Sequence, residues 1–316
     1  MENKRIMSVL AVILLVACVI VSVTLVRVRY EIGYVPNEAI ENLVEILERD
    51  GIAIDRDIIS EKRENGTVYV FDSDGYNRTV SELLSGSTVR DTFAIPNGEL
   101  LILKNGDQCE FSENFTFRYR AENADGFTPN IIDLRYYAER KNEQEAENAA
   151  DAVRTFLNNG SREFSSDGNL NVAVVIDEIW EYAGIQYILC SRTIDGVAIT
   201  GNLVLCTVEN DRVTAAYGTW CFFTPGTSYR AQLSDILNIL FNVKKTLASS
   251  AISETEGKEG GGQVTIQSIK SCYSLYFFGE EENFCLIPCW QITTDTMGEF
   301  IYNAIDGILY TKIQGG

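Results

Sequence analysis

The stretch Ile185–Trp220, "IQYILCSRTIDGVAITGNLVLCTVENDRVTAAYGTW", decides the fold. It holds three runs rich in β-branched and aromatic residues. They are separated by Asp195-Gly196 and Asn210-Asp211, dipeptides that accept the left-handed conformations a tight hairpin requires. With "NVAVVIDEIWEY" just upstream, residues 171–182, the segment predicts a four-stranded antiparallel meander. Before it, "NEQEAENAADAVRTFLNNG" places Ala146, Ala149, Val153, Phe156 and Leu157 on one helical face, with acids in the first turn and Gly160 behind. A helix with one apolar stripe and a sheet with one apolar face each need a cover, so the two are expected to pack together.

The same alternation recurs on either side. "PNEAIENLVEILERDG" sets Ile40, Leu43, Val44 and Leu47 at helical spacing, with Pro36 near the start and Gly51 past the end. "SYRAQLSDILNILFNVKKTLASS" predicts a longer helix, apolar at Leu233, Ile236, Leu237, Leu240 and Leu247. The strand runs "QVTIQSIKSCYSLYFF", "FCLIPCWQITT", "EFIYNAI" and "ILYTKI" follow it. Asn65-Gly66, Asn105-Gly106 and Asp306-Gly307 are further hairpin signals, and "TVSELLSG" reads as a short helix or turn. The expected class is α+β: a transmembrane helix, then repeated units of one helix on an antiparallel meander, at residues 30–140, 141–226 and 227–316. The acidic, glycine-rich stretch 253–262, "SETEGKEGGG", reads as a loop inside the third unit.

The N-terminus carries the most specific physical signal. Lys4 and Arg5 precede an uncharged run of 21 residues from Ile6 to Val26, closed by Arg27 and Arg29. As a helix this run spans about 30 Å, enough to cross a bilayer core. A cleaved signal peptide would have a shorter apolar core and a small-residue cleavage site. Leu15-Val16-Ala17-Cys18 matches a lipobox, which would make Cys18 the lipidated residue, yet Val19–Val26 stays apolar where a lipoprotein turns polar. The run therefore reads as an uncleaved single-pass anchor in the cell membrane. Both flanks are basic, so the short head, residues 1–5, and the long acidic remainder set the orientation: N-terminus cytoplasmic, C-terminal domain extracellular. Ser8, Ala11 and Ala17 are small residues that allow close approach of a partner helix; a plain lipid-facing anchor is the simpler account of them.

Charge and composition exclude whole classes. The chain has 45 acidic and 26 basic residues, and beyond residue 30 the balance is 44 to 22. Such a surface argues against a nucleic-acid partner. The 316 residues include no histidine, which removes the commonest general base and metal ligand and argues against an enzyme. No cofactor or metal site is evident. "DSDGYN", residues 72–77, lacks the later ligands of a calcium loop and reads as a turn. Asp177, Glu178 and Glu181 surround Trp180, but adjacent strand residues face opposite sides, so a solvated face explains them better. Glu280–Glu282 reads as a soluble hairpin tip.

Cys285 and Cys289 share a predicted strand four residues apart, about 13 Å, too far to pair with each other or to converge on one metal ion. A hairpin that pairs Phe277 with Phe284 would set Cys272 opposite Cys289, giving a cross-strand disulfide as one reading. Buried thiols acting as small apolar residues are the other, and they fit Cys109, Cys190, Cys206 and Cys221 as well.

The C-terminal stretch 275–310 resembles the corresponding part of YycI-type two-component regulatory proteins. There an aliphatic-Pro-x-Trp strand, here Ile287, Pro288 and Trp290, precedes a glycine turn at Gly298 and an "NA-x-x-G" signature at Asn303, Ala304 and Gly307. Residues 193–220 resemble the family's middle hairpin, and "LVEILERDGIAID" its start after the anchor. The pattern is shared more loosely with PepSY-like domains. The resemblance implies a non-enzymatic, membrane-anchored regulator. Its outer domain, with a YycH-like protein, would contact a membrane sensor histidine kinase that controls cell-wall metabolism. The alternative it leaves open is an anchored PepSY-like binding module for an extracytoplasmic protease or wall enzyme.

Overall fold

The computed structural model describes residues 34–60, 65–71, 76–112, 115–124, 129–159, 172–222, 226–254, 263–278 and 283–313. The anchor run with Ser8, Ala11, Ala17 and Cys18, the carboxylates of 72–74, Glu280–Glu282 and residues 255–262 lie outside them. Among the described residues no helix is long and apolar enough to cross a membrane.

In chain order the first elements are α1 (Asn37–Arg49), β1 (Ile52–Ile54), β2 (Asn65–Phe71), α2 (Tyr76–Ser85), β3 (Val89–Ile95), β4 (Gly98–Leu103), β5 (Gln108–Ser112) and β6 (Thr116–Arg120). There follow α3 (Ile131–Tyr137), β7 (Glu139–Lys141), α4 (Glu147–Asn159), β8 (Val172–Tyr182), β9 (Ile185–Ile194), β10 (Val197–Glu209), β11 (Arg212–Thr219) and β12 (Gly226–Gln232). The chain ends with α5 (Ile236–Glu254), β13 (Val264–Phe278), β14 (Asn283–Thr294), β15 (Glu299–Asn303) and β16 (Leu309–Ile313). The chain is mixed α+β and is dominated by antiparallel sheet.

Two compact units divide it. One comprises Thr67–Tyr229 and Ser271–Pro288; the other takes the described parts of Met1–Gly66, Arg230–Lys270 and Cys289–Gly316. The expected middle segment, α4 with its meander, falls within the first of these together with β3–β6.

In the larger unit nine strands run in the order β7-β8-β9-β10-β11-β6-β5-β4-β3, each antiparallel to its neighbour. The predicted meander is thus present as β8–β11. Its turns take the required geometry: Asp195 and Gly196 have φ of 50° and 80°, Asn210 and Asp211 of 49° and 57°. A third turn, Ala183-Gly184 with φ of 53° and 78°, joins β8 to β9. Its alanine gave no turn signal in the sequence. One sheet face packs against α2 and α4, with Val80, Leu84, Val153, Phe156 and Leu157 meeting Leu101, Cys109, Phe117, Ile188, Val204, Cys206 and Ala216 in a single apolar cluster. Asn142 and Glu145 bond reciprocally ahead of α4, each backbone N–H donating to the other's side chain at 3.0 Å, which fixes the entry of the chain.

In the smaller unit α1 and α5 bury Ile40, Leu43, Leu47, Ile239, Leu240, Val243 and Leu247 against Ile266, Ile292, Phe300 and Tyr302. β14, β15 and β16 form an antiparallel meander, and β1 pairs parallel with the start of β13. Two sequence expectations are corrected. The helix expected from Ser228 begins only at Ile236, because Asp235 caps it, its Oδ1 accepting from Leu237 N at 3.1 Å, while Gly226–Gln232 is strand. Asn65-Gly66 opens β2 and is not a hairpin turn.

Candidate interaction surface

The other face of the larger sheet is built by the same period-two alternation that fills the core. In β6, Phe117 and Tyr119 point inward and are buried, while Arg118 and Arg120 point outward and are exposed. Register links one row across eight strands: Glu178, Leu189, Leu205, Tyr217, Arg118, Glu110, Leu100 and Phe93 stand opposite one another in turn. At the β8–β10 end α3 covers the row, and Leu134 packs on Trp180, Tyr187, Leu189 and Leu205. Past that cover the face is open, with Leu203 and Tyr217 each 42% exposed and Phe93 50% exposed.

Three clefts mark this face. One of about 390 Å³ lies between Pro129–Ile131 and the strands, lined by Leu189, Leu203, Leu205, Tyr217, Gly218 and Arg118. Gly218 is required at its floor, since a Cβ there would stand 2.1 Å from the Leu203 carbonyl oxygen. A second, of about 200 Å³, is lined by Leu100, Gln108, Glu110, Arg118, Tyr119, Arg120 and Ala215. The third, an open cleft of about 530 Å³, is lined by Arg135, Ala138, Arg140, Asp177, Glu178 and Trp180.

The third cleft overturns an expectation. Asp177 and Glu178 line it together, because the β8–β9 register shifts between Ile176 and Glu178, a bulge that re-aims the side chains. Burial and the neighbouring Glu178 raise the Asp177 pKa, and the hydroxyl of Ser191 donates to it at 3.0 Å. Glu178 is taken by Arg135 at 2.5 Å. Trp180 is only 2% exposed, so it offers no stacking platform for a sugar.

The surface arginines fall into two groups, with and without a carboxylate partner. Arg49, Arg78, Arg90, Arg135 and Arg154 all sit on carboxylates. Arg118 instead lies over the Tyr217 ring, 5.1 Å from its centroid, and Arg120 donates to the neutral Gln108 at 2.6 Å. Glu110 stands opposite Arg118 in register but forms no ion pair with it among the described residues. The sequence reading did not identify these residues. Their signal was the alternation in "TFRYR", which needs the neighbouring strands to become a surface.

Inside the same unit Arg192 is buried. It donates to the Cys221 carbonyl and lies over Trp220, 5.2 Å from the ring centroid, while Asn202 Oδ1 accepts from Cys221 N at 2.9 Å. Burial lowers the guanidinium to about 10. The cluster ties the segment after β11 back onto β9 and β10.

Burial raises the thiols of Cys109 and Cys221 to about 12 and Cys285 to about 11, and pushes Cys190 and Cys206 up as well, so these five stay protonated at neutral pH. Cys272 and Cys289 are each 2% exposed, on the neighbouring strands β13 and β14.

The resemblance motif is structural in its contacts. Asn303 Oδ1 accepts from Ile305 N at 2.9 Å, and the Ala304 carbonyl accepts from Ser234 N at 2.6 Å. Gly307, at φ +76°, offers its carbonyl to Asn242 Nδ2 at 2.8 Å. The turn therefore fastens β15 to the start of α5. Pro288 and Trp290 are buried in β14.

No family model matches this chain, and no curated protein matches it. Among solved structures it is similar to an uncharacterized protein from Eubacterium rectale, at 11% identity and a TM-score of 0.43, over 84% of this chain and 92% of that one.

Proposed function

We propose that this chain is a membrane-anchored extracytoplasmic regulator, single-pass with its N-terminus in the cytoplasm. It binds and modulates a sensor histidine kinase of a two-component system controlling cell-wall metabolism, together with a YycH-like protein. Its role is binding, with no turnover of its own. The observation that carries this reading is the 21-residue uncharged run between two basic pairs, joined to a large acidic domain. The C-terminal and middle-hairpin resemblances add the partner class, and the open arginine and tyrosine face described above is a surface suited to a protein partner. The domain is read as repeated helix-on-meander units behind the anchor, of which α4 on β8–β11 is the fullest.

Regulation is then a population shift. The protein binds one kinase state more tightly than the other and biases the equilibrium by the difference in affinity. The test is a tagged pull-down from gently solubilised membranes, comparing the native chain with one whose residues 6–26 are replaced by an unrelated transmembrane helix. Recovery of a histidine kinase and a YycH-like protein with the native chain supports the reading. Loss on replacement places part of the recognition in the bilayer. Recovery of a secreted protease or wall enzyme in their place would overturn it.

A further inference from the structure

We infer that the open outer face of β10, β11, β6 and β5 docks an extracytoplasmic segment of the partner in which apolar anchors alternate with carboxylates, and that Arg118 and Arg120 read those carboxylates. The identity of the partner rests on the regulatory reading above; the chemistry of the segment does not.

Charge sets the first constraint on the occupant. In a chain with 45 acidic and 26 basic residues, five surface arginines sit on carboxylates, while Arg118 and Arg120, like Arg140, Arg212 and Arg230, form no ion pair among the described residues. Arg118 and Arg120 stand side by side on one strand with an aromatic ring and an amide as their partners. A guanidinium beside a tyrosine ring, with no carboxylate of its own, keeps N–H donors for an incoming carboxylate. At physiological salt the screening length is about 8 Å, so these two guanidiniums and the single Glu110 carboxylate beside them, not the distant acidic excess, set the field an incoming side chain meets.

The apolar half of the site lies alongside. The 390 Å³ cleft of Leu189, Leu203, Leu205 and Tyr217 shares Arg118 with the 200 Å³ cleft, so an apolar anchor pocket adjoins a cleft lined by Gln108, Glu110 and Arg120. Volumes of about 390 and 200 Å³, one near the lower end of the ~300–1,000 Å³ typical of ligand sites and one below it, suit single inserted side chains better than a small molecule enclosed on all sides. Tyr217 and Arg118 beside the pocket also match the composition of interface hot regions, where aromatic and arginine residues carry most of the energy.

A second copy of this chain fits less well. In a two-fold contact the same patch faces itself, which brings four guanidiniums together with only the two Glu110 carboxylates that line these clefts.

The experiment uses the full chain in its own membranes. A photoreactive phenylalanine analogue replaces Leu203, and the cross-linked peptide is identified by mass spectrometry. The proposal expects one segment of another protein, with a carboxylate within three residues of the cross-linked apolar side chain. Cross-linking should fall about tenfold in Arg118→Glu with Arg120→Glu, as for charge reversal at a desolvated contact. It should persist in Arg49→Glu, and changing the segment's carboxylates to lysine should restore it in the doubly reversed chain. A captured segment from a protein other than a kinase or YycH-like partner, with this charge pattern intact, would overturn the regulatory reading and keep the site. No cross-link, a cross-link to a second copy, a segment without carboxylates, or indifference to the charge reversal would overturn the docking face itself.

Discussion

The two faces of the larger sheet are made by alternate residues of the same strands, yet they meet opposite fates. On one side Phe117, Tyr119, Val204, Cys206 and Ala216 disappear beneath α2 and α4. On the other, Arg118, Tyr217 and Leu203 remain at the surface, and among the described residues the cover lies at the β8–β10 end, from the seven-residue α3. A helix laid on a sheet buries one face, and an antiparallel sheet tolerates water on the other if that face is polar. Here the open face is not wholly polar. It combines half-exposed leucine, tyrosine and phenylalanine with arginines that lack carboxylates among the described residues. The difference separates what holds the fold from what is left to recognise something else.

The largest effect is expected from truncating a side chain on the closed face. Phe117 is 1% exposed and packs edge-on against Phe222 at 5.4 Å between centroids. Phe117→Ala is expected to lower the unfolding free energy by about 3–5 kcal/mol. Denaturant unfolding checks this, and a loss below 1 kcal/mol would show that the core tolerates the cavity.

The buried thiols sharpen the contrast through pH. Burial raises the Cys206 pKa in the folded protein, so above the ordinary thiol value near 8.5 the unfolded chain loses a proton that the folded chain keeps. The stability held below that value is therefore lost as pH rises, by about 1.4 kcal/mol per pH unit for this one group. Unfolding midpoints from pH 7 to 10 under reducing conditions should fall less steeply in Cys206→Ala than in the parent. Parallel slopes would mean that the thiol ionises in place.

A smaller effect lies at the turn that gave no sequence signal. Ala183 holds φ of 53°, a conformation that disfavours alanine and accepts asparagine. Ala183→Asn is expected to raise stability by about 0.5–1 kcal/mol, seen as a higher thermal midpoint. The smallest expected change belongs to the open face: Tyr217→Ala should alter stability by less than ~0.5–1 kcal/mol. A loss as large as that of Phe117→Ala would erase the distinction between the faces.

Local chemistry was legible in the sequence. The helix over 37–49, the helix over 147–159 and the four-stranded meander were written in spacing and in Asp-Gly and Asn-Asp pairs that each act within a few residues. Where two local signals competed, the reading slipped. Helical spacing ran back to Ser228, but the Asp235 carboxylate ends that continuity by capping α5. The clefts were not legible. Asp177 and Glu178 share one because of a one-residue register shift, and the arginine face exists only once β11, β6 and β5 align Tyr217, Arg118 and Glu110. Cross-strand register joins residues about 100 apart, and no periodicity within a strand reports it. The division into two units has the same cause, since one of them gathers 34–66, 230–270 and 289–313.

The most direct test of the account measures two quantities on one protein: the unfolding midpoint and the partner recovered from membranes, for the full chain carrying Arg118→Glu and Arg120→Glu. The account predicts an unchanged midpoint with partner recovery reduced about tenfold. Full recovery would contradict it, as would a midpoint that falls as far as that of Phe117→Ala.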